Sequence, residues 1–300
     1  MSTPAATAHP WLRRIAIGLH VVIALAATGM IATCLYLLWL FIFDPAGAEE
    51  WTVGLRPSQF YADIEIDAKV FSDAAYGAVF GVAHNSGGSI EATLEALISG
   101  ADIIEVDVAE IDGELYSAHS PPLPFVGQRW FRGPSLARVW AASLGAEAIS
   151  LDLKESSPAF IRLVAEFVDA RSPYRQVIIS SREVSVLRAL RPQVPEAILL
   201  LSVPDERTLN ILRTDDAALE VIDGVTIRHS VLDSDNVVWL AGQGLLVFAW
   251  TVNTLERVNE LIGYGVDAIT TDNLGIQALL SGNERGERDL VPATETSPPP

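Results

Sequence analysis

GVAHNSGGSIEATLEALISGADIIEVDVAEIDGELYSAH, Gly81 to His119, sets the reading of the whole chain. It begins with a short apolar run ending on His84 and continues into a stretch of helical period. A second apolar run follows, DIIEVDV (Asp102–Val108), which carries Glu105 and Asp107 two residues apart. Side chains alternate across a strand, so these two carboxylates face the same way. Strand, helix, strand within so few residues is the unit of a parallel sheet.

The pattern repeats. Further apolar runs are AISLDLK (Ala148–Lys154), QVIISS (Gln176–Ser181), AILLLSV (Ala197–Val203), GVTIRH (Gly224–His229), LLVFAWTV (Leu245–Val252) and DAITTD (Asp267–Asp272). Amphipathic segments separate them, and Gly100, Gly145 and Gly265 are placed to end helices in a left-handed cap. Eight such units in about 200 residues fit a closed (β/α)8 TIM barrel. An open doubly wound sheet would carry a glycine-rich phosphate loop after its first strand, and Asn85-Ser86-Gly87-Gly88 has neither standard spacing.

Outside the barrel, IAIGLHVVIALAATGMIATCLYLLWLFIF (Ile15–Phe43) has no Asp, Glu, Lys or Arg. At about 1.5 Å per residue it exceeds a hydrocarbon layer of about 30 Å. A secretory signal peptide is the alternative, with Ala46-Gly47-Ala48 as a small-residue cleavage site. Signal apolar regions usually run only about 7–15 residues, which favours an uncleaved transmembrane helix. Arg13 and Arg14 precede the span while Asp44, Glu49 and Glu50 follow it, so the N-terminus is expected to be cytoplasmic and the barrel extracytoplasmic. The expected organisation is therefore a cytoplasmic segment 1–14, a membrane helix 15–43, a linker 44–79, a barrel 80–282 and a disordered polar tail 283–300.

The formal charge of the chain is −18, and Arg13 and Arg14 are the only charged residues of 1–43, so the remainder carries −20. Such a surface repels nucleic acid and anionic headgroups, which leaves the apolar helix as the means of membrane association. The single cysteine, Cys34, lies in the apolar span, so there is no disulfide framework or Cys-based zinc site. Nothing in the sequence identifies a protein partner.

Active sites of such barrels lie at the C-terminal strand ends. His84 ends the first strand, and Glu105 and Asp107 lie late in the second. Asp152 and Lys154 end the third, Trp250 and Asn253 the seventh, and Asp272 the eighth. Asp272 also precedes the last helix, and the local pattern favours an N-cap role for it.

From Phe80 to about Leu280 the chain resembles the glycerophosphodiester phosphodiesterase family, a metal-dependent (β/α)8 group. The family's His-Arg-Gly and Pro-Glu-Asn-Thr are matched by His84-Asn85-Ser86-Gly87 and Ile90-Glu91-Ala92-Thr93. Its Gly-Ala-Asp-x-Ile-Glu-x-Asp-Val is matched by Gly100 to Val108, its turn and His-Asp by Asp112-Gly113 and His119-Ser120. Its Leu-Glu-Ile-Lys resembles Leu151-Asp152-Leu153-Lys154, and its late Trp-Thr-Val-Asn and Gly-Val-Asp-x-Ile-x-Thr-Asp resemble Trp250 to Asn253 and Gly265 to Asp272.

The resemblance implies His84 and His119 as general base and acid, and one divalent cation, Ca²⁺ or Mg²⁺, on Glu105, Asp107 and Asp152. Lys154 and Asn85 would meet the phosphate, and Trp250 would wall the pocket against the alcohol or lipid portion. It further implies hydrolysis of glycerophosphodiesters or lysophospholipids. The alternatives are a phospholipase-type lyase giving a cyclic phosphate, and a non-catalytic lipid- or metal-binding barrel. Three departures stand out: Asn85 replaces an arginine, Asp152 a longer glutamate, and no extra lobe fits between His119 and the third strand. Without that lobe Phe125, Trp130 and Phe131 border the mouth, either as lipid contacts or as packing over the barrel top.

Overall fold

The computed structural model describes residues 10–43, 79–119 and 132–281. The expected tail, nearly all of the expected linker, and Phe125, Trp130 and Phe131 lie outside them. Helix α1 (Pro10–Phe43) is continuous over 34 residues. Its Leu19–Tyr36 stretch, with mean hydropathy 1.9, is long and apolar enough to cross a membrane, a profile that signal sequences share.

The strands are β1 (Phe80–Ala83), β2 (Ile103–Ile111), β3 (Glu114–Ser117), β4 (Ala148–Leu153), β5 (Gln176–Ser181), β6 (Ile198–Val203), β7 (Gly224–Arg228), β8 (Leu246–Trp250) and β9 (Ala268–Thr271). Among the described residues the order is β1-β9-β8-β7-β6-β5-β4-β2-β3, with a further pairing of β1 to β2 that closes the sheet. All neighbours are parallel except β3, which runs antiparallel to β2 and stands outside the ring. The result is a barrel of eight parallel strands. Around it lie α2 (Ile90–Ile98), α3 (Leu136–Ala142), α4 (Pro158–Asp169), α5 (Val184–Leu190), α6 (Glu206–Leu212), α7 (Asp216–Leu219), α8 (Ser234–Gly242), α9 (Leu255–Tyr264) and α10 (Leu274–Ser281).

The β2–β3 hairpin has no counterpart among the expected strands. It turns on Asp112 and Gly113, at φ 55° and 83°, the conformation an Asp-Gly pair adopts at a two-residue hairpin turn. Gly100 and Gly265 adopt the expected left-handed conformation, at φ 81° and 91°. Gly145 does not; helix α3 is capped by Ser143 instead.

Two cores divide the apolar residues. Phe80, Val82, Ile103, Ile178, Leu200 and Phe248 belong to a plug inside the barrel. Residues of opposite parity, such as Val106, Val108, Ile149 and Leu151, pack outward against the helices. Each strand thus buries both faces, which is why it reads as a near-continuous apolar run. At the N-terminal rim the carboxylates of Asp102, Asp223 and Asp267 accept the backbone N–H groups of Gly81 (2.8 Å), Leu199 (2.7 Å) and Val247 (2.7 Å). Each ties the strand it precedes to a neighbouring strand, and Arg191 also pairs with Asp223 at 2.6 Å.

The connection after β1 is built for close approach to β2. A short 3₁₀ turn, Ser86–Gly88, leads to the Ser89 cap of α2, whose hydroxyl accepts the Ala92 N–H at 3.0 Å. Thr93 donates to the carbonyls of Ser86 (3.0 Å) and Ser89 (2.9 Å). A Cβ on Gly87 would stand 2.4 Å from the Val106 Cβ and 3.1 Å from the Glu105 carbonyl. Gly87→Ala should therefore destabilise the fold by about 1–3 kcal/mol through overpacking. A thermal or urea melt indistinguishable from that of the parent chain would contradict this account of the turn.

Candidate active site

Barrel closure carries the polar residues to one mouth. His84 follows β1, and β1 lies between β2 and β9, so His84 sits between Glu105 and Asp272. The Asn85 N–H lies 3.3 Å from Glu105 Oε2, and His84 Nδ1 is 2.7 Å from Asp272 Oδ1. Asn253 fixes that carboxylate: its Nδ2 donates to Asp272 Oδ2 at 2.9 Å, while its Oδ1 accepts from the Asp272 N–H at 3.0 Å and from Thr271 at 2.9 Å. Asp272 is therefore a partner of the histidine and not a helix cap; Asn273 takes the capping position, accepting the Gly275 N–H at 3.0 Å. Local pattern concealed this because the partners are 188 residues apart.

The second group spans β2 and β4. Asp107 and Asp152 are register partners, and Lys154 lies between their carboxylates, 3.2 Å from Asp107 Oδ1 and 2.5 Å from Asp152 Oδ2. Ser180 on β5 donates to Asp152 Oδ1 at 3.0 Å. His119, just beyond β3, comes within 3.8 Å of Asp107 Oδ2 through Nε2. The hairpin that the apolar pattern did not reveal thus delivers the second histidine. The Ala118 N–H supports this placement by donating to the Asp107 carbonyl at 3.0 Å. Trp250 ends β8 on the same parity as plug residue Phe248 and is partly exposed at the mouth.

Charges here are closely coupled. Burial pushes the Glu105 carboxyl up and His84 pulls it down, but Asp152 and Asp107 add to the rise, leaving it at about 7. Burial alone would lower His84; the hydrogen bond it donates to Asp272 and the charges of Glu105, Asp272 and Asp107 outweigh it and raise the imidazole to about 9.

Among the described residues no three His, Cys, Asp or Glu side chains form a ready-made ion cage. The donor set nevertheless fits a hard divalent cation. Glu105, Asp107 and Asp152 are all oxygen donors on the inward face of adjacent strands, and the charges of Asp152 and Asp107 add to the cost of ionising Glu105. Lys154 now supplies part of the positive charge such a cluster needs.

Residues 141–276 match the model of the glycerophosphoryl diester phosphodiesterase family. That segment contains Asp152, Lys154, Trp250, Asn253 and Asp272, whereas His84, Glu105, Asp107 and His119 precede it. No curated protein matches the chain. Among solved structures it is similar to an Oleispira antarctica phosphodiesterase in complex with the product sn-glycerol-3-phosphate, at 18% identity and TM-score 0.55, over 69% of this chain and 98% of that one. A glycerophosphodiester phosphodiesterase from Parabacteroides distasonis is similar at 20% identity and TM-score 0.54, over 68% and 97%. One described as putative from Galdieria sulphuraria is similar at 16% and 0.56, over 68% and 98%. These likenesses establish the barrel fold.

The His84–Asp272 pair gives a direct test. In chelator-treated protein His84 should titrate near 9 by NMR, and Asp272→Asn should move it downward, because both the hydrogen bond and the charge of Asp272 favour the imidazolium. An unchanged titration would mean that Asp272 does not hold His84 in solution.

Proposed function

We propose that this chain is a phosphoric diester hydrolase that acts on glycerophosphodiesters or lysophospholipids at this mouth while anchored to a membrane; the match of residues 141–276 to the glycerophosphoryl diester phosphodiesterase family model supports that class. The observation that supports this reading is the convergence of two carboxylate-paired histidines, three carboxylates and a lysine on one rim.

In this reading His84 takes the proton of the attacking water. The water oxygen bonds to phosphorus as the bond from phosphorus to the alcohol oxygen breaks, and His119 returns a proton to the departing alcohol. The products are a phosphate monoester and an alcohol. Asp272 holds the His84 ring and stabilises the imidazolium formed when it accepts the proton, as a carboxylate does for any imidazole base. Glu105 and Asp107 also favour that imidazolium in the resting site, so neutralising them lowers the His84 pKa from about 9 and leaves more of the imidazole unprotonated and able to accept a proton. A divalent cation, Ca²⁺ or Mg²⁺, held by Glu105, Asp107 and Asp152 would neutralise phosphoryl oxygens. Lys154 adds a compact positive charge, Asn85 a polar contact to the phosphate, and Trp250 an apolar wall for the alcohol or acyl portion.

The decisive experiment is the full chain in detergent against a panel of glycerophosphodiesters and lysophospholipids, with Ca²⁺, with Mg²⁺ and after chelation. Activity should require the cation and release a phosphate monoester. His84→Ala and His119→Ala should each lower turnover by roughly 10²–10⁴-fold. A substrate with a good leaving group should rescue His119→Ala and not His84→Ala, since such a group needs no proton. Accumulation of a cyclic phosphate would replace hydrolysis by the lyase reaction, and activity that survives exhaustive chelation would exclude the cation. Near-parental rates in both histidine variants would remove the acid–base assignment.

Helix α1 is proposed as an uncleaved anchor with a cytoplasmic N-terminus and an extracytoplasmic barrel, from the arginines before it and the acidic residues after it. Protease added outside spheroplasts should then digest the barrel; a barrel degraded only after lysis would reverse the orientation.

A further inference from the structure

A phosphodiester brings a negative charge to a mouth already lined by carboxylates, so binding it favours cationic side chains on more than one wall of that mouth. Lys154 is shared between Asp107 and Asp152, at 3.2 and 2.5 Å. Asn85 contributes no charge. The opposite wall of the barrel does.

Strand β7 stands four strands from β2 in the ring, so it faces the carboxylate cluster across the mouth. Its inward face is marked by Gly224, where a Cβ would meet the Leu246 carbonyl at 2.4 Å and the Leu200 side chain at 2.9 Å. Leu200 belongs to the plug and Leu246 packs on it. With a period of two, Thr226 and Arg228 share that face. Both are half-buried, while Val225 and Ile227 of the other parity are fully buried among the helices. Arg228 is also the register partner of Trp250 on β8.

The turn after Arg228 is fastened at several points. Arg257 donates to the carbonyls of His229 and, at 2.7 Å, Leu232. Asn236 Nδ2 donates to the Val231 carbonyl at 2.7 Å. The backbone that follows Arg228 is thus held in place, and the planar fork of a guanidinium suits two phosphate oxygens at once.

We infer that Arg228 is a phosphate-anchoring residue of this site, holding the phosphoryl oxygens of the diester and of the monoester product, with the alcohol portion laid against its neighbour Trp250. The inference rests on the proposed reading of the mouth as a phosphodiesterase site and adds a residue on the wall opposite the carboxylates. The competing cation is Arg182, which follows β5 and is exposed.

The test measures affinity apart from turnover. Binding of glycerol 3-phosphate and of inorganic phosphate to the full chain is measured by calorimetry in Ca²⁺ or Mg²⁺ at fixed ionic strength, for the parent chain, Arg228→Gln, Arg228→Lys and Arg182→Gln. Thermal melts confirm that each variant is folded. Arg228→Gln should weaken glycerol 3-phosphate binding roughly 10–100-fold, the scale of losing a charge-assisted fork. Arg228→Lys should recover part of it, and Arg182→Gln should change it less than about threefold, the scale of an exposed charge. With diester substrate the Arg228→Gln loss should fall on KM at least as heavily as on kcat. Affinity unchanged in Arg228→Gln, a larger loss in Arg182→Gln, or a parent chain that binds neither probe would overturn the inference. A parent chain that hydrolyses diesters while Arg228→Gln binds normally refutes the anchor and leaves the proposed function intact. One that binds phosphate through Arg228 but cleaves no diester refutes the function and leaves the anchor.

Discussion

The double pairing of one four-residue strand organises this molecule. Phe80–Ala83 is hydrogen-bonded in parallel register to β2 on one side and β9 on the other, and without it the sheet is open. Its inward residues, Phe80 and Val82, complete the plug. The next residue of that parity is His84, and the backbone there remains tied to both neighbours, the His84 N–H to the Thr271 carbonyl at 3.1 Å and the Asn85 N–H toward Glu105. The pairing that closes the barrel thus places the imidazole between Glu105 and Asp272. The first and last parts of the barrel sequence are thereby joined into one site.

The inward face is apolar in its lower layers and ionisable at the top, and each half constrains the other. A dry plug beneath the mouth lowers the local dielectric, which makes an isolated charge costly. The ionisable residues above it accordingly come in partnered groups: His84 with Asp272 and Asn253, Asp152 with Lys154 and Ser180, Asp107 with Lys154 and His119. Glu105 is the member least compensated, since its neighbours Asp107 and Asp152 repel the charge that His84 and Lys154 attract. The rim is thus short of positive charge at the place where a cation would be held, while the N-terminal rim uses its carboxylates to clamp backbone amides.

The ring of strands was legible in the sequence because both faces of every strand are buried and glycine or proline punctuation separates the runs. Observed ends lie within a residue or two of the expected ones, apart from β2, which continues to Ile111 into its hairpin. That extension, Ala109 to Ile111, puts the half-buried Glu110 between buried Ala109 and Ile111, so the continuous apolar run breaks off there although the strand does not. The grouping of Glu105 and Asp107 was legible because it depends only on strand parity, and that of Asp152 with Lys154 for the same reason. Asp272 was not, because a carboxylate one residue before a helix-capping asparagine has the local signature of a cap, and only closure brings His84 to it. Arg228 likewise looks like a strand-end charge until the Gly224 contact shows which way that strand faces. Periodicity reports the direction of a side chain relative to its own element; what it meets there depends on the ring.

Asn85 illustrates how a single position serves backbone and chemistry together. It lies at φ 47° and ψ 25°, in the left-handed region, where asparagine is tolerated far better than most side chains. Its conformation turns the chain sharply from β1 into the Ser86–Gly88 turn, which in turn presses Gly87 against Val106. A long cationic side chain at this point would have to accept that conformation or loosen the turn, and a looser turn would move the Glu105 contact at 3.3 Å. With asparagine the turn is compact and the charge is absent. Positive charge for a phosphate must then come from elsewhere on the rim, and strand parity allows it from β7 without disturbing the segment that holds His84.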